Sequence, residues 1–384
     1  MAFLINIGEL SDQQSDRALN LIYKAIHDHG NDDEIWLPHP SPFVRRLIEL
    51  FTQRGLARIN AVRAELSKWI SGEKFRSADV APQRPAGMMD RWTDSEMQLV
   101  QLYLESLPPS QFHLEDWMMV VDMIVQRYLP EDALRTEAEW LAVRASLMGR
   151  VQANLDKIDE TQADKVLAAL PATVAQASEA FTMSPSQDAM MRYARTHCAE
   201  AVVQVSESTR HRLRYAIMDH EEQRMMRAPG VPGESLETRL FDEFATLNRD
   251  WRRIAVTEAG EAANQGMVLA QKPGARLKRV EMYAGACGFC RKIDGRIMVV
   301  ADPSDGDKDG DTQIWPGKTN IGRSAAPRMR VGGALVERPE DQRWWVAAGV
   351  QHPHCRGTWV PVAEPEPGDD PAFAEWLDNL LNKK

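Results

Sequence analysis

Apolar residues recur at helical spacing through most of the chain. In "SPFVRRLIELFTQRGLARINAVRAELSKWIS" the series Val44, Leu47, Ile48, Phe51, Ile59, Val62, Leu66 and Ile70 predicts an amphipathic helix. Ser41 is placed to cap it, Pro42 suits its first position, and a break is expected near Gly55. The stretch 73–91, "EKFRSADVAPQRPAGMMDR", is rich in proline, glycine and charge and reads as a loop or hinge. Thr93 and Glu96 make a capping-box pattern before "MQLVQLYLESL". "LEDWMMVVDMIVQRYL" ends at Pro130, where a new helix can start; its methionines and aromatics fall at helical spacing, so they are core rather than a cofactor pocket. A second helical block starts at Ser184, Pro185 and Gln187. It continues as one long helix over 187–225, with a kink expected around Ser206–Ser208. A turn at "APGVPGES" follows, then two helices, "LETRLFDEFATL" and "DWRRIAVTEAGEAANQGMVLAQ".

The pattern changes after Pro273. "ARLKRVEMY", "GRIMVVA" and "GTWVPV" are short and β-like. Between the second and third lies a long stretch, 302–350, containing Gly, Asp, Pro and Arg. The chain closes on an acidic linker, "EPEPGDDP", and a short amphipathic helix, with Asp370 as its cap and Pro371 in its first turn; this helix either docks on a partner or folds back on its own domain. The expected fold is mainly α, with a small C-terminal β-containing (α+β) domain pinned by metal. Four consecutive regions follow: helical 1–180 for partner contacts, helical 181–272, a small β region 273–362 with a Cys/His cluster, and the linker and helix 363–384.

Composition narrows the function classes. The 384 residues carry a net charge of −10, which disfavours wrapping of nucleic acid by the whole surface. No apolar run approaches a bilayer span, so no membrane partner is expected. The opening "MAFLINIGELSDQQSD" lacks a basic leader with a long apolar core, so no secretory signal is expected. Four cysteines in this length do not make a disulfide scaffold; Cys198 stands alone and the other three lie near the C-terminus, which suits reduced thiols in an intracellular site.

The candidate chemistry is in "GACGFCRKIDG". Cys287 and Cys290 have the spacing that lets one tight turn present two thiolates, and Gly288 allows such a turn. "RKIDGR" reads as a hairpin turn at Asp294-Gly295. The other half is "QHPHCRG": Cys287, Cys290, Cys355 and either His352 or His354 make a Cys3His set for a structural zinc ion. Metal would replace the core that a small β domain lacks. Unpaired thiols are the bland reading. A redox dithiol should follow a strand and open a helix, and "RKIDG" is a poor helix start. A catalytic zinc needs an open position and a general base, which nothing in the sequence marks.

Residues 185–362 resemble the phage head-morphogenesis family, typified by the Mu F minor head protein. Three stretches carry the resemblance, in order and at agreeing spacing. "VVQVSESTRHRLRYAIMDHEEQ" followed by "LETRLFDEFATLNRDWRRIAVTEAGEAANQG" is similar to the family's paired helices leading to an A-R-T-E…N-x-G helix; Thr257, Glu258, Asn264 and Gly266 are its motif positions here. "CGFCRKIDGRIMVV" is similar to its C-x-x-C-x-x-x-x-G turn, and "HPHCRGTWVPV" to its closing H-P-x-C-R-C…P segment. Val256 stands where the family has Arg, and Gly357 where it often has a last Cys. The alignment favours His352 over His354 as the fourth ligand. It also implies that Thr257 and Glu258 make a buried structural hydrogen bond rather than a solvated polar pair; a lone Glu gives no acid–base pair for catalysis.

Two further stretches are weighed. Asp305, Asp307, Asp309 and Gly310 match the first half of a calcium loop, but Pro316 stands where the bidentate Glu belongs, so a surface loop is expected. "GKT" lacks the upstream glycine of a phosphate loop. Lys318, Arg323, Arg328 and Arg330 make a basic, flexible segment able to touch DNA, an acidic protein surface or solvent alone. The expected function is a non-enzymatic minor head protein at the portal vertex or inner capsid wall, aiding head assembly, DNA packaging or delivery. The resemblance implies the portal or major capsid protein as partners, packaged DNA through 318–330, a place in the virion, and host cytoplasm during assembly. The rival is a zinc-ribbon nucleic-acid-binding protein. A hydrolase or transferase lacks support in any Ser-His-Asp, paired-carboxylate or phosphate-loop arrangement.

Overall fold

The structure is a computed structural model. It describes residues 39–382 apart from 78–81, 86–90, 155–159, 229–230, 282, 284, 303 and 363–370; the acidic linker and the Asp370 cap lie outside the described residues. The described residues are 62% helical with a small C-terminal sheet region, the mainly α class expected.

The helices are α1 (Pro42–Ile70), α2 (Asp94–Glu105), α3 (Leu114–Tyr128), α4 (Glu131–Ala153), α5 (Ala163–Ala169), α6 (Val174–Ala180), α7 (Pro185–Met226), α8 (Leu236–Leu269), α9 (Gly288–Ile293) and α10 (Pro371–Asn382). Their starts follow local chemistry. Thr93 and Glu96 close the capping box on α2, Ser41 Oγ accepts the Val44 N–H, and Ser184 and Gln187 exchange bonds at the head of α7. Two sequence expectations differ. α1 runs without a break at Gly55, because the glycine seats the Trp251 ring: a Cβ there would lie 1.7 Å from Trp251 Cε2. The two helices expected after residue 235 are one, since no glycine or proline interrupts "NRD".

Contacts divide the chain into two compact units that are discontinuous in sequence: Met1–Glu49, Trp140–Thr196 and Ala255–Lys384 form one, Leu50–Glu139 and His197–Ile254 the other. This differs from the four consecutive regions because α1, α4, α7 and α8 each contribute residues to both. The second unit is helical; Phe51 stacks on Trp251 at 4.9 Å, and Trp251 Nε1 donates to Phe51 O.

The first unit holds the sheet. Its strands are β1 (Arg276–Val280), β2 (Ile297–Val300), β3 (Gln313–Ile314) and β6 (Thr358–Pro361), in the order β3-β2-β1-β6. β1 pairs antiparallel with β2 and β6, and β2 pairs parallel with β3. Its inner face, Leu277, Met298, Val300, Ile314 and Trp359, packs with Ala153, Met267 and Val268 at the ends of α4 and α8. The stretch 302–350 is more ordered than its composition suggests: besides β3 it contains a hairpin, β4 (Arg328–Val331) and β5 (Ala334–Glu337). α10 folds back: Phe373 and Leu377 are buried, and Phe181 meets Phe373 and Trp376 edge to face at 5.1 Å.

Within the first unit α4 and α8 approach backbone to backbone. A Cβ on Gly266 would lie 2.1 Å from Ser146 O, and one on Gly149 would lie 2.0 Å from Ala263 O. From Glu258 to Val268 α8 is buried on every side. A helix so placed must satisfy its polar side chains inside the protein.

Candidate metal centre

The polar face of α8 reads the backbone of the segments around it. Thr257 Oγ1 accepts the N–H of His354, Glu261 Oε2 accepts that of Val350, Asn264 Nδ2 donates to Gly357 O, and Gln265 Oε1 accepts the N–H of Gly317. Residues 257, 261 and 264 recur at helical spacing, so one face holds 350–357 in place, while Gln265 beside them holds Gly317. Glycine is required opposite: a Cβ on Gly349 would lie 1.8 Å from Glu261 Oε2. Glu258 is buried.

The held segment delivers its His and Cys to the cysteine pair. Cys287 caps α9, its Sγ accepting the Cys290 N–H at 3.4 Å. This corrects the expectation of a tight turn followed by a poor helix start: the pair does open a helix, because the first cysteine supplies its own cap. His352 Nε2 lies 3.4 Å from Cys287 Sγ and 3.3 Å from Cys290 Sγ. With metal–sulfur and metal–nitrogen bonds of zinc length, the S···N edge of a tetrahedron is about 3.6 Å. The other ring nitrogen, Nδ1, lies 2.8 Å from Pro353 O, and the ring stacks on Trp344 at 5.6 Å, so the imidazole is aimed before any ion arrives. His354 instead turns through a left-handed backbone, φ 65°, that presents its N–H to Thr257.

Cys355 joins through Cys290. Among the described residues two donor sets form, Cys287–Cys290–His352 and Glu281–Cys290–Cys355. The four sequence-predicted ligands therefore lie close together and can hold a metal ion. Among the described residues none of the four cysteines is in a disulfide.

Glu281 and its neighbour Arg279 are the residues that sequence reasoning missed. Alternation along "RLKRVEMY" was the available signal, since Leu277, Arg279 and Glu281 fall on one side and all three are buried. Arg279 Nε donates to Glu281 Oε1 at 2.7 Å and Nη1 to Gly349 O at 3.1 Å; Nη2 reaches Cys355 Sγ at 3.8 Å. The guanidinium also lies over Trp359 at 5.2 Å. Burial works against its charge, and Glu281 and Cys355 more than offset that, holding it above its ordinary value. Burial pushes the Glu281 carboxyl up, with Arg279 pulling it back in part. The Cys290 thiol is raised by its hydrogen bond to Cys355 and by burial. That same bond lowers Cys355 well below the ordinary thiol value against the opposing effect of burial, and Arg279 lowers it further.

The basic stretch divides. Lys318 is buried, not solvated: its Nζ donates to Gly310 O and Gln313 O and lies 4.7 and 4.8 Å from the Trp315 and Trp345 rings. The acidic loop thus carries a lysine ammonium on two of its carbonyls, and Asp309 spends its oxygens on Asp311 N and Thr312. Arg323 lies 3.7 Å over Trp345. Arg328 and Arg330 alone of the four are exposed, on one face of the β4–β5 hairpin.

No family model, curated protein or solved structure matches the chain. Among the described residues no helix is long and apolar enough to cross a membrane.

Proposed function

We propose that this chain is a structural minor head protein of a tailed phage, acting without catalysis in head morphogenesis at the portal vertex or inner capsid wall. The observation that carries this reading is the meeting of the three motif segments in one place. Thr257 and Asn264 bond the backbone of His354 and Gly357, and the cysteine turn faces His352. Residues that lie far apart in sequence and follow the family order thus serve one structural device.

The ion is zinc, held by Cys287, Cys290, His352 and Cys355, since thiolate with imidazole is a donor set that suits it. When bound, zinc supplies folding free energy and no reaction. Its ligands tie the head of α9 to the segment before β6, closing a sheet whose strands are short. Contacts to the portal or major capsid protein come from the N-terminal 180 residues. Cross-linking mass spectrometry on purified heads tests this. Links from residues 42–180 to the portal are expected; links confined to 185–362, or absence of the chain from purified heads, would overturn it. Elemental analysis of the purified chain should give about one zinc per chain.

The second reading, a zinc protein that binds nucleic acid, draws on Arg328 and Arg330, which form no ion pair among the described residues. Steep salt dependence of DNA binding, lost in the Arg328→Ala/Arg330→Ala chain, is its signature.

A further inference from the structure

Arg279 and Glu281 have no place in the four-ligand zinc set, yet they are among the most deeply buried groups of the unit. The Glu281–Cys290–Cys355 set resembles a second metal position sharing Cys290 with the first. It already contains a cation. The Arg279 fork engages Glu281, Gly349 O and Cys355 at once, and Trp359 covers its face. A divalent ion placed among Glu281, Cys290 and Cys355 would stand against that guanidinium.

We propose that Arg279 and Glu281 are positioning residues of the metal centre: they form the fixed pair that aims the Cys355 thiol at the single ion held with Cys287, Cys290 and His352. The inference rests on the zinc reading and deepens it. Three thiolates outweigh a divalent ion by one negative charge, and Cys355 is the thiol that Arg279 touches. Glu281 fixes Arg279 in turn, and is itself fixed by its N–H, which donates to Asp294 Oδ1 at 2.7 Å. Cys355 Sγ lies 3.7 and 3.8 Å from the two Glu281 oxygens, and the Tyr283 hydroxyl donates to it at 3.7 Å. Gly357 leaves the room this needs: a Cβ there would lie 2.1 Å from Glu281 Oε1.

The test uses the full chain loaded with zinc, and separately with cobalt. Glu281→Gln keeps the shape of the side chain and removes its charge. It should keep one zinc per chain and the cobalt–thiolate absorption of the wild type, while transferring zinc to a chromogenic chelator about 10–100-fold faster, the usual cost of losing an outer-shell partner. Arg279→Lys keeps the charge but cannot reach all three acceptors, and should shift the rate in the same direction; it serves if Glu281→Gln fails to fold. Transfer rates in Glu281→Gln and Arg279→Lys equal to the wild type overturn the inference while the zinc reading stands. Two ions per wild-type chain, one of them lost in Glu281→Gln, make Glu281 a ligand and overturn it also. A wild-type chain that binds no metal overturns the zinc reading, and this inference with it.

Discussion

The close backbone approach of α4 and α8 offers a quantitative test of how the metal centre is supported. Gly266→Ala sets a methyl 2.1 Å from Ser146 O, and Gly149→Ala sets one 2.0 Å from Ala263 O and 2.6 Å from Met267 N. All three obstacles are main-chain atoms, so no side chain can swing aside. The helices must separate by about an ångström, and a gap of that size forfeits about a quarter to a half of each dispersion contact it opens. Overpacking of this kind costs about 1–3 kcal/mol or more, against which alanine returns about 1 kcal/mol of helix propensity. A net loss of about 1–2 kcal/mol is expected for each variant, a fall in melting temperature of about 2–4 °C per kcal/mol for a unit of this size. The two costs should not add. One separation of α4 from α8 relieves both collisions, so the double variant should lose clearly less than the sum, with a coupling of about 1 kcal/mol or more. Urea unfolding of the four chains in a double-mutant cycle, with Gly306→Ala as the control in open space, measures this. Because α8 also carries Thr257, Glu261 and Asn264, the same variants should release zinc faster than the control. Unchanged stability in either single variant, or full additivity in the double, would refute the rigid helix contact.

Removal of zinc by chelator should lower the melting temperature of the wild-type chain, and a metal-free chain that melts as before refutes the clasp. His352→Ala should lose the ion while His354→Asn, which tolerates the left-handed backbone, keeps it; elemental analysis of both decides. Burial pulls Lys318 from 10.5 down to about 7, so the native chain binds fewer protons than the unfolded one between those values. Stability should therefore carry its full penalty below pH 7 and gain as pH rises towards 10. Subtracting the Lys318→Met curve isolates this group, and parallel curves across that window sink the assignment. Phe373→Ala removes the ring that Phe181 meets at 5.1 Å and Arg150 covers at 4.3 Å, and should cost about 3–5 kcal/mol of α10 docking, read as faster amide exchange across 371–382.

What could be read in the sequence was what is decided locally. Thr93 with Glu96 and Ser184 with Gln187 set helix starts within four residues, so their chemistry is written where it acts. The Cys287–Cys290 pair and the His352–Cys355 pair were legible for the same reason, each being a short motif whose residue types have few other uses together. The rest depends on distant partners. Gly55 looks like a helix break until Trp251, far along the chain, is found to rest on it. Lys318 looks like a surface cation until Trp315 and Trp345 close over it from two sides. β3, β4 and β5 are too short to show a period, and their pairing is fixed by register with other strands. Arg279 and Glu281 lie between these cases. The alternation of β1 already placed them with Leu277 on the buried face, but hydropathy argued that a charged pair belongs outside. Local pattern and residue chemistry conflict there. A conflict that the fold resolves by burying the charges, with each of the three guanidinium nitrogens engaged, marks where the chain gives up easy solvation to hold a particular thiol in place.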